Sequence, residues 1–379
     1  MRIGVVTSAQ PASVGGGFTF EQEVFERLLA LSSESRHHYV VLQPGLAPKG
    51  PTPENVEFPL NLPKPLHGVA NASRRLWLER TSKALEIDLL WCIAPFHPVT
   101  DTPYITISWD LQHRLQPFFP EVSANGEWDA REKHRSVCLR RAMRIICGTE
   151  VGKAEIERFY QIPSERIRVL PHPTPKFALD GVADDGILAK LPKDYLLYPA
   201  QLWAHKNHAN LLLALKVLKD RGLELPLVLV GADRGNGDHV RRMIDELGLA
   251  SQVHLIGFVP VGELVALYKN AAALAYVSLF GPDNLPPLEA MALGCPVIAA
   301  NVSGAEEQLG DAALRIDGTS PDAIADAIQR VRTDTALRAQ LIEKGRTRAR
   351  KFTGDEYIRG IFGLVDDLVP LLRCWRPNR

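Results

Sequence analysis

Lys206, Asn207 and Glu289 are the residues whose types and surroundings best suggest chemistry in this 379-residue chain. Lys206 closes the stretch Pro199-Ala200-Gln201-Leu202-Trp203-Ala204-His205-Lys206, just after an apolar strand at Tyr195–Tyr198. Asn207 then reads as a helix N-cap, with Leu211, Leu215 and Leu218 on one helical face until Gly222 ends the run. A cation beside a helix N-terminus opposes the helix dipole unless an anion lies between them. A diphosphate would resolve that conflict; an exposed lysine in a solvated loop is the competing reading. Glu289 lies in the first turn of a second predicted helix, where a carboxylate either serves a ligand or simply satisfies the dipole.

That second helix belongs to the stretch Ala271–Ala300. Ala273–Leu279 is an apolar, β-tolerant run bounded by Gly281-Pro282. Pro286-Pro287 pre-sets a helix start, Leu288–Leu293 continues it, and Gly294 and Pro296 end it before a strand at Val297–Ala300. Ligands gather outside the carboxyl ends of parallel strands, which here is the loop Phe280–Leu285. Backbone N–H groups near Leu285 would converge there at the positive end of the helix. Two weaker features precede these. Gly16 and Gly17 lie in a glycine-rich turn between a first strand and a helix, where backbone can approach a ligand or merely bend. Asp110 ends a strand, where it either faces a ligand or caps the following turn.

The elements that position these residues alternate. Strands are predicted at Arg2–Thr7, Tyr39–Leu42, Leu89–Cys92, Tyr104–Ser108, Ile145–Cys147 and Val169–Pro171. A second set follows at Tyr195–Tyr198, Leu227–Val230, Val253–Ile256, Leu274–Leu279 and Val297–Ala300. Helical stretches lie between them, so the fold class is α/β, with two doubly wound Rossmann-like domains facing a cleft. The break is placed at Pro171–Gly186, rich in proline, glycine and aspartate. The domains are 1–175 and 190–354, with 355–379 as a terminal helix. Pro44–Pro65 reads as an irregular surface connection.

Composition narrows the function classes. The apolar set is 46% and the charged set 23%, ordinary for a soluble globular chain. Lys plus Arg number 44 and Asp plus Glu 44, so net charge gives no argument for nucleic acid. Five cysteines without metal-type spacing suggest reduced, buried thiols and a cytoplasmic setting. No basic-then-apolar leader and no run of ~20 apolar residues is visible. The Arg-rich stretches Asn71–Arg80 and Arg131–Arg144 could rest on an anionic membrane as a peripheral contact, though a solvated helix face is favoured for each.

Leu285-Pro286-Pro287-Leu288-Glu289-Ala290 resembles the signature of the retaining nucleotide-sugar glycosyltransferases of glycosyltransferase family 4, which have the GT-B fold. Lys206-Asn207 is similar to the same family's diphosphate-binding element, and Asp110-Leu111-Gln112-His113 to the wording of one of its branches. Three positions depart: Gly281 replaces a glutamate, Gln201 an arginine, and Trp109 a histidine.

The resemblance implies transfer of a hexose from a nucleoside-diphosphate sugar to a glycan or lipid-linked glycan acceptor, in cell-surface polysaccharide synthesis. Branch wording favours mannose or a related sugar from GDP. It gives Lys206, Gln201, His205, Gly16, Gly17 and the N–H groups near Leu285 to the diphosphate. Glu289 would take the ribose, the backbone of Phe258 and Val259 the base, and Asp283 and Asn284 the sugar hydroxyls left unread by Gly281. Lys206 and Asp110 stand as the catalytic pair. The chain has no Asp-x-Asp, so no metal or cofactor is expected. A nucleotide-sugar 2-epimerase and a non-catalytic nucleotide-sugar-binding subunit are the alternatives.

Overall fold

Short apolar runs such as Arg2–Val6 and Leu89–Cys92 are buried almost throughout, because parallel strands covered by helices on both faces have no solvent side. The structure, a computed structural model, describes residues 1–8, 15–43, 46, 50–59, 62 and 71–375. Strands β1 (Arg2–Val6), β2 (His38–Val41), β3 (Val56–Glu57), β4 (Leu89–Cys92), β5 (Tyr104–Ile107), β6 (Arg144–Cys147) and β7 (Ile167–Val169) form one sheet. Its order is β3-β2-β1-β4-β5-β6-β7, and every pairing is parallel. The second sheet holds β8 (Leu196–Pro199), β9 (Leu227–Val230), β10 (Val253–Gly257), β11 (Ala273–Tyr276), β12 (Val297–Ala300) and β13 (Ala313–Ile316). Its order is β10-β9-β8-β11-β12-β13, again all parallel.

The chain forms two compact units, one around each sheet. The first comprises Met1–Leu111, Asp129–Pro171 and the chain from Gly354 on; the second comprises Gln112–Trp128 and His172–Thr353. The helix Gly354–Leu372 is part of the first unit. It is tied there by Arg27–Asp355 at 3.3 Å, by Arg359 on both oxygens of Glu34, and by Tyr357 edge-on to Phe20. The segment Gln112–Trp128 lies between β5 and β6 in sequence yet packs with the second unit.

Strand limits differ from expectation where hydrogen bonding decides. β7 ends at Val169, two residues before the expected stop, because Pro171 has no N–H for the ladder. β11 ends at Tyr276 rather than Leu279, since Leu279 N–H turns to the carbonyl of His205 at 2.8 Å. The short edge strands β3 and β13 were not anticipated. Val56–Glu57 lies in the predicted Pro44–Pro65 connection, much of which is outside the described residues. Cys92, Cys138, Cys147 and Cys295 are buried and Cys374 is exposed. Among the described residues, no helix is long and apolar enough to cross a membrane.

Candidate functional site

In the second sheet β8 lies between β9 and β11, so strand order reverses there. Such a switch point is where an open parallel sheet holds ligands, outside the carboxyl ends of its strands. Two loops meet at it, Ala200–Asn207 after β8 and Val277–Asn284 after β11. Tyr198 Oη donates to the carbonyl of Lys206 at 2.5 Å, and Asn207 Nδ2 to the carbonyls of Val277 at 3.0 Å and Gly318 at 2.7 Å. Asn207 stands at the start of the helix His208–Asp220, but with φ 60 it makes no side-chain cap. The expected cap is therefore a buried brace between loops, in a left-handed conformation that asparagine tolerates better than most residues.

Lys206 projects from this frame. Its Nζ lies 3.1 Å from Tyr276 Oη and 3.4 Å from Ser278 Oγ, and 5.4 Å from the centre of the Tyr276 ring. Both hydroxyls spend their own protons elsewhere: Tyr276 donates to Asn284 Oδ1 at 2.8 Å and Ser278 to the carbonyl of Phe280 at 2.7 Å. They thus turn lone pairs to the ammonium. Neither carries charge, and among the described residues Lys206 has no carboxylate partner. A half-buried cation at a helix N-terminus with only neutral contacts is a site for an anion.

His205 is held from several sides. Its backbone N–H donates to Glu121 Oε1 at 3.0 Å, its ring Nδ1 makes a short contact with the same oxygen, and Phe119 packs edge-on against the ring. Glu121 comes from the Gln112–Trp128 segment and carries no local signal in the sequence. Gln201 Oε1 accepts from Trp203 Nε1 at 2.9 Å, so its carbonyl side is engaged within its own loop. His208, one residue past Asn207, is buried and held neutral: burial first, then the charges of Lys206 and His205, push its pKa down to about 3.

The helix after β11 runs Leu285–Ala292 and ends in a Schellman motif, with Gly294 at φ 78 and Cys295 N–H bonded to the Ala290 carbonyl at 2.9 Å. Its first turn contains no acid, so the placement of Glu289 there is corrected: it lies one turn in and is buried. Tyr268 Oη donates to Glu289 Oε2 at 2.7 Å. Burial pushes the Glu289 carboxyl up to about 7 against the opposing effect of that bond. The expected cluster of N–H donors is thinner than predicted. Pro286 and Pro287 have none, and Asn284 N–H is taken by Gln308 Oε1 at 3.0 Å, leaving Leu285 and Leu288 in the first turn.

Asp283 and Asn284, expected to read sugar hydroxyls, are engaged inside the protein. Asp283 is buried, accepting His172 N–H at 3.0 Å and Gln308 Nε2 at 2.6 Å. Asn284 accepts from Tyr276 and donates to the Gly281 carbonyl at 2.6 Å. Both side chains shape the loop, because each polar atom already has a short internal partner. Gly281 has φ 128, and a Cβ there would lie 2.3 Å from Asn284 Oδ1. Glycine is thus required by backbone and by space.

The other candidates are placed separately. Phe258 is exposed and Val259 buried, directly after β10. Gly16, Gly17 and Asp110 belong to the first unit. The helix there starts at Gly16, with Gly15 at φ 82. Asp110 follows β5 and lies in the field of the buried Arg135, and Trp109 packs edge-on against Phe20. The break between the units falls after Leu111, and His113 is buried with the second unit, its carbonyl accepting Trp128 Nε1 at 2.6 Å.

Residues 184–348, which lie in the second unit, match the family model described as "Glycosyl transferases group 1". The chain is 27% identical over 249 residues to O-antigen chain mannosyltransferase B of Escherichia coli, covering 62% of this chain and 63% of that protein. The alignment thus spans less than two thirds of the relative's length. Among solved structures, sucrose-phosphate synthase of Thermosynechococcus elongatus matches with TM-score 0.74 and 18% identity, over 98% of this chain and all of that one. HepE of Anabaena, solved with UDP and glucose, matches with TM-score 0.68 and 16% identity, over 97% of this chain and all of that one. The fold is GT-B, with two parallel-sheet Rossmann-like α/β units.

Proposed function

We propose that this chain is a glycosyltransferase that moves a hexose from a nucleoside-diphosphate sugar to a hydroxyl of a glycan or lipid-linked glycan, with retention at the anomeric carbon and without a metal. The observation that carries the reading is Lys206, a cation with no carboxylate partner among the described residues, at the switch point and against a helix N-terminus. The matched domain and the mannosyltransferase relative support the same reaction class. The bond from the anomeric carbon to the diphosphate oxygen breaks, the acceptor oxygen bonds to that carbon, and the acceptor's proton is released. Negative charge grows on the departing diphosphate, and Lys206, the Leu285 and Leu288 N–H groups and His205 are the fixed donors that stabilise it. Glu289 serves the ribose through its second oxygen, and the Phe258-Val259 backbone serves the base. The resemblance gives the Gly16-Gly17 turn to the diphosphate as well and makes Asp110 the second catalytic residue.

GDP-mannose is the first donor to test, and the reaction is placed at the cytoplasmic face of a membrane where the acceptor is lipid-linked. A panel of GDP, UDP, dTDP and ADP in thermal unfolding decides binding, since a ligand at ~100 times its Kd stabilises by ~2.7 kcal/mol. Transfer of labelled sugar to an acceptor extract decides catalysis. Binding without transfer would make the chain a nucleotide-sugar-binding subunit; no stabilisation by any of the four would overturn the reading.

A further inference from the structure

Glu121 is a carboxylate with a buried side chain, brought to the switch-point loops from a distant part of the sequence. It lies in the helix Pro120–Ser123, and its segment is anchored to the β11 loop by Gln116 Nε2 donating to the Leu279 carbonyl at 2.9 Å. Leu279 N–H in turn donates to the His205 carbonyl, so segment, loop and histidine form one hydrogen-bonded ring of contacts. The Glu121 side chain is 5% exposed and the His205 side chain 12%. Glu121 Oε1 faces the His205 backbone N–H and ring Nδ1, and Oε2 is buried with no hydrogen-bond partner among the described residues. A carboxylate so placed is costly unless it faces a cation. With a neutral ring the pair carries one negative charge immediately beside the anion site; with an imidazolium it carries none.

We propose that Glu121 is a positioning residue for the donor's diphosphate, holding His205 as an imidazolium beside Lys206 so that the buried pair presents no net negative charge to it. The inference rests on the glycosyltransferase reading. The same bond fixes ring orientation and puts a proton on Nδ1, as carboxylate–histidine pairs do elsewhere. Among the described residues, the titratable groups around His205 include Glu121 from the Gln112–Trp128 segment, Lys206 next in the chain, and His208 at the start of the following helix. Lys206 and a bound diphosphate act on the ring in opposite senses. Donor binding therefore favours the protonated ring, and at pH above the ring's midpoint it takes up a proton.

The test compares the full-length chain with its Glu121→Gln variant. Glutamine keeps an oxygen for the His205 N–H and Nδ1–H but carries no charge, so a purely structural role survives it. Calorimetry of GDP binding at several pH values from 7 to 9, in two buffers of different ionisation enthalpy, reads the protons taken up. Uptake is expected for the wild type and is expected to be abolished or moved to lower pH in Glu121→Gln. Turnover at saturating donor is expected to fall on the order of tenfold to a hundredfold in the variant. Its pH profile should lose activity at lower pH than the wild type's. His205→Gln should show the same loss of uptake. A folded Glu121→Gln protein with wild-type uptake, turnover and pH profile overturns the proposal. Wild-type protein that binds GDP without uptake overturns it too, while leaving the glycosyltransferase reading standing. Wild-type protein that binds none of the nucleoside diphosphates overturns that reading itself.

Discussion

Replacing Glu289 with glutamine removes a charge that the fold holds at a loss. The residue is 6% exposed, its carboxylate accepts from Tyr268, and burial raises its pKa from 4.5 to about 7. The folded state therefore binds the proton more tightly than the unfolded chain does. Between those two values the unfolded state carries fewer protons, so stability falls as pH rises and levels off above about 7. This is the reverse of the usual carboxylate in an ion pair. A gap of about 2.5 in pKa at ~1.36 kcal/mol each is worth roughly 3 kcal/mol at high pH. Over the window from pH 5.5 to 8 the same linkage leaves a change of about 2 kcal/mol. Glutamine has no proton to lose and keeps an oxygen for the Tyr268 hydroxyl. Equilibrium urea unfolding of both proteins at the two pH values should show Glu289→Gln gaining on the wild type by that amount. An unchanged difference would refute the reasoning, and a wild type that gains on the variant would show an ionised carboxylate stabilised rather than stranded. A buried charge retained at such a cost is what a binding site keeps when function outweighs stability.

Lys206→Ala should lower turnover on the order of 10²–10³-fold with a smaller change in donor KM, since the charge it faces grows as the bond breaks; steady-state kinetics in donor concentration check this. Glu289→Ala should do the opposite, raising KM while leaving turnover comparatively intact, because ribose does not change in the reaction. Gly281→Glu should not sharpen donor choice. It forces a side chain to φ 128 against Asn284 and should cost roughly 1–3 kcal/mol, read by unfolding alongside competition between donors. Turnover should persist in excess chelator, and loss restored by magnesium or manganese would refute the metal-free reading.

The fold was legible because its cues are local. Apolar runs of about four residues recur between amphipathic stretches, and Pro286-Pro287 and Gly294 punctuate one helix at both ends. What failed did so where tertiary contacts override a local rule. Asn207 has the chemistry of an N-cap, but its backbone is left-handed, its Oδ1 accepts from Asn210 and its Nδ2 donates to the carbonyls of Val277 and Gly318. Asp283 sits in a polar loop by sequence, yet His172 and Gln308 close over it. β3 has two residues, too few to show a period, and β13 is a half-buried edge strand whose apolar run is broken by Arg315.

The candidate site shows the same division at finer scale. Lys206 and Glu289 announce themselves through their own neighbours in sequence, since a helix start lies within a few residues of each. Glu121 cannot, because 84 residues separate it from His205 and nothing near Phe119-Pro120 suggests a partner for an imidazole. Only the return of Gln112–Trp128 to the second unit brings them together. That excursion bears on the departures from the family pattern. A neutral Gln201 removes one charge from the loop after β8, and Gly281 removes a carboxylate from the loop after β11. The two losses are opposite in sign and fall on loops bonded to each other through Leu279 and His205. The proposed Glu121–His205 pair lies on the same bonded loops, so its single proton adjusts the charge beside Lys206.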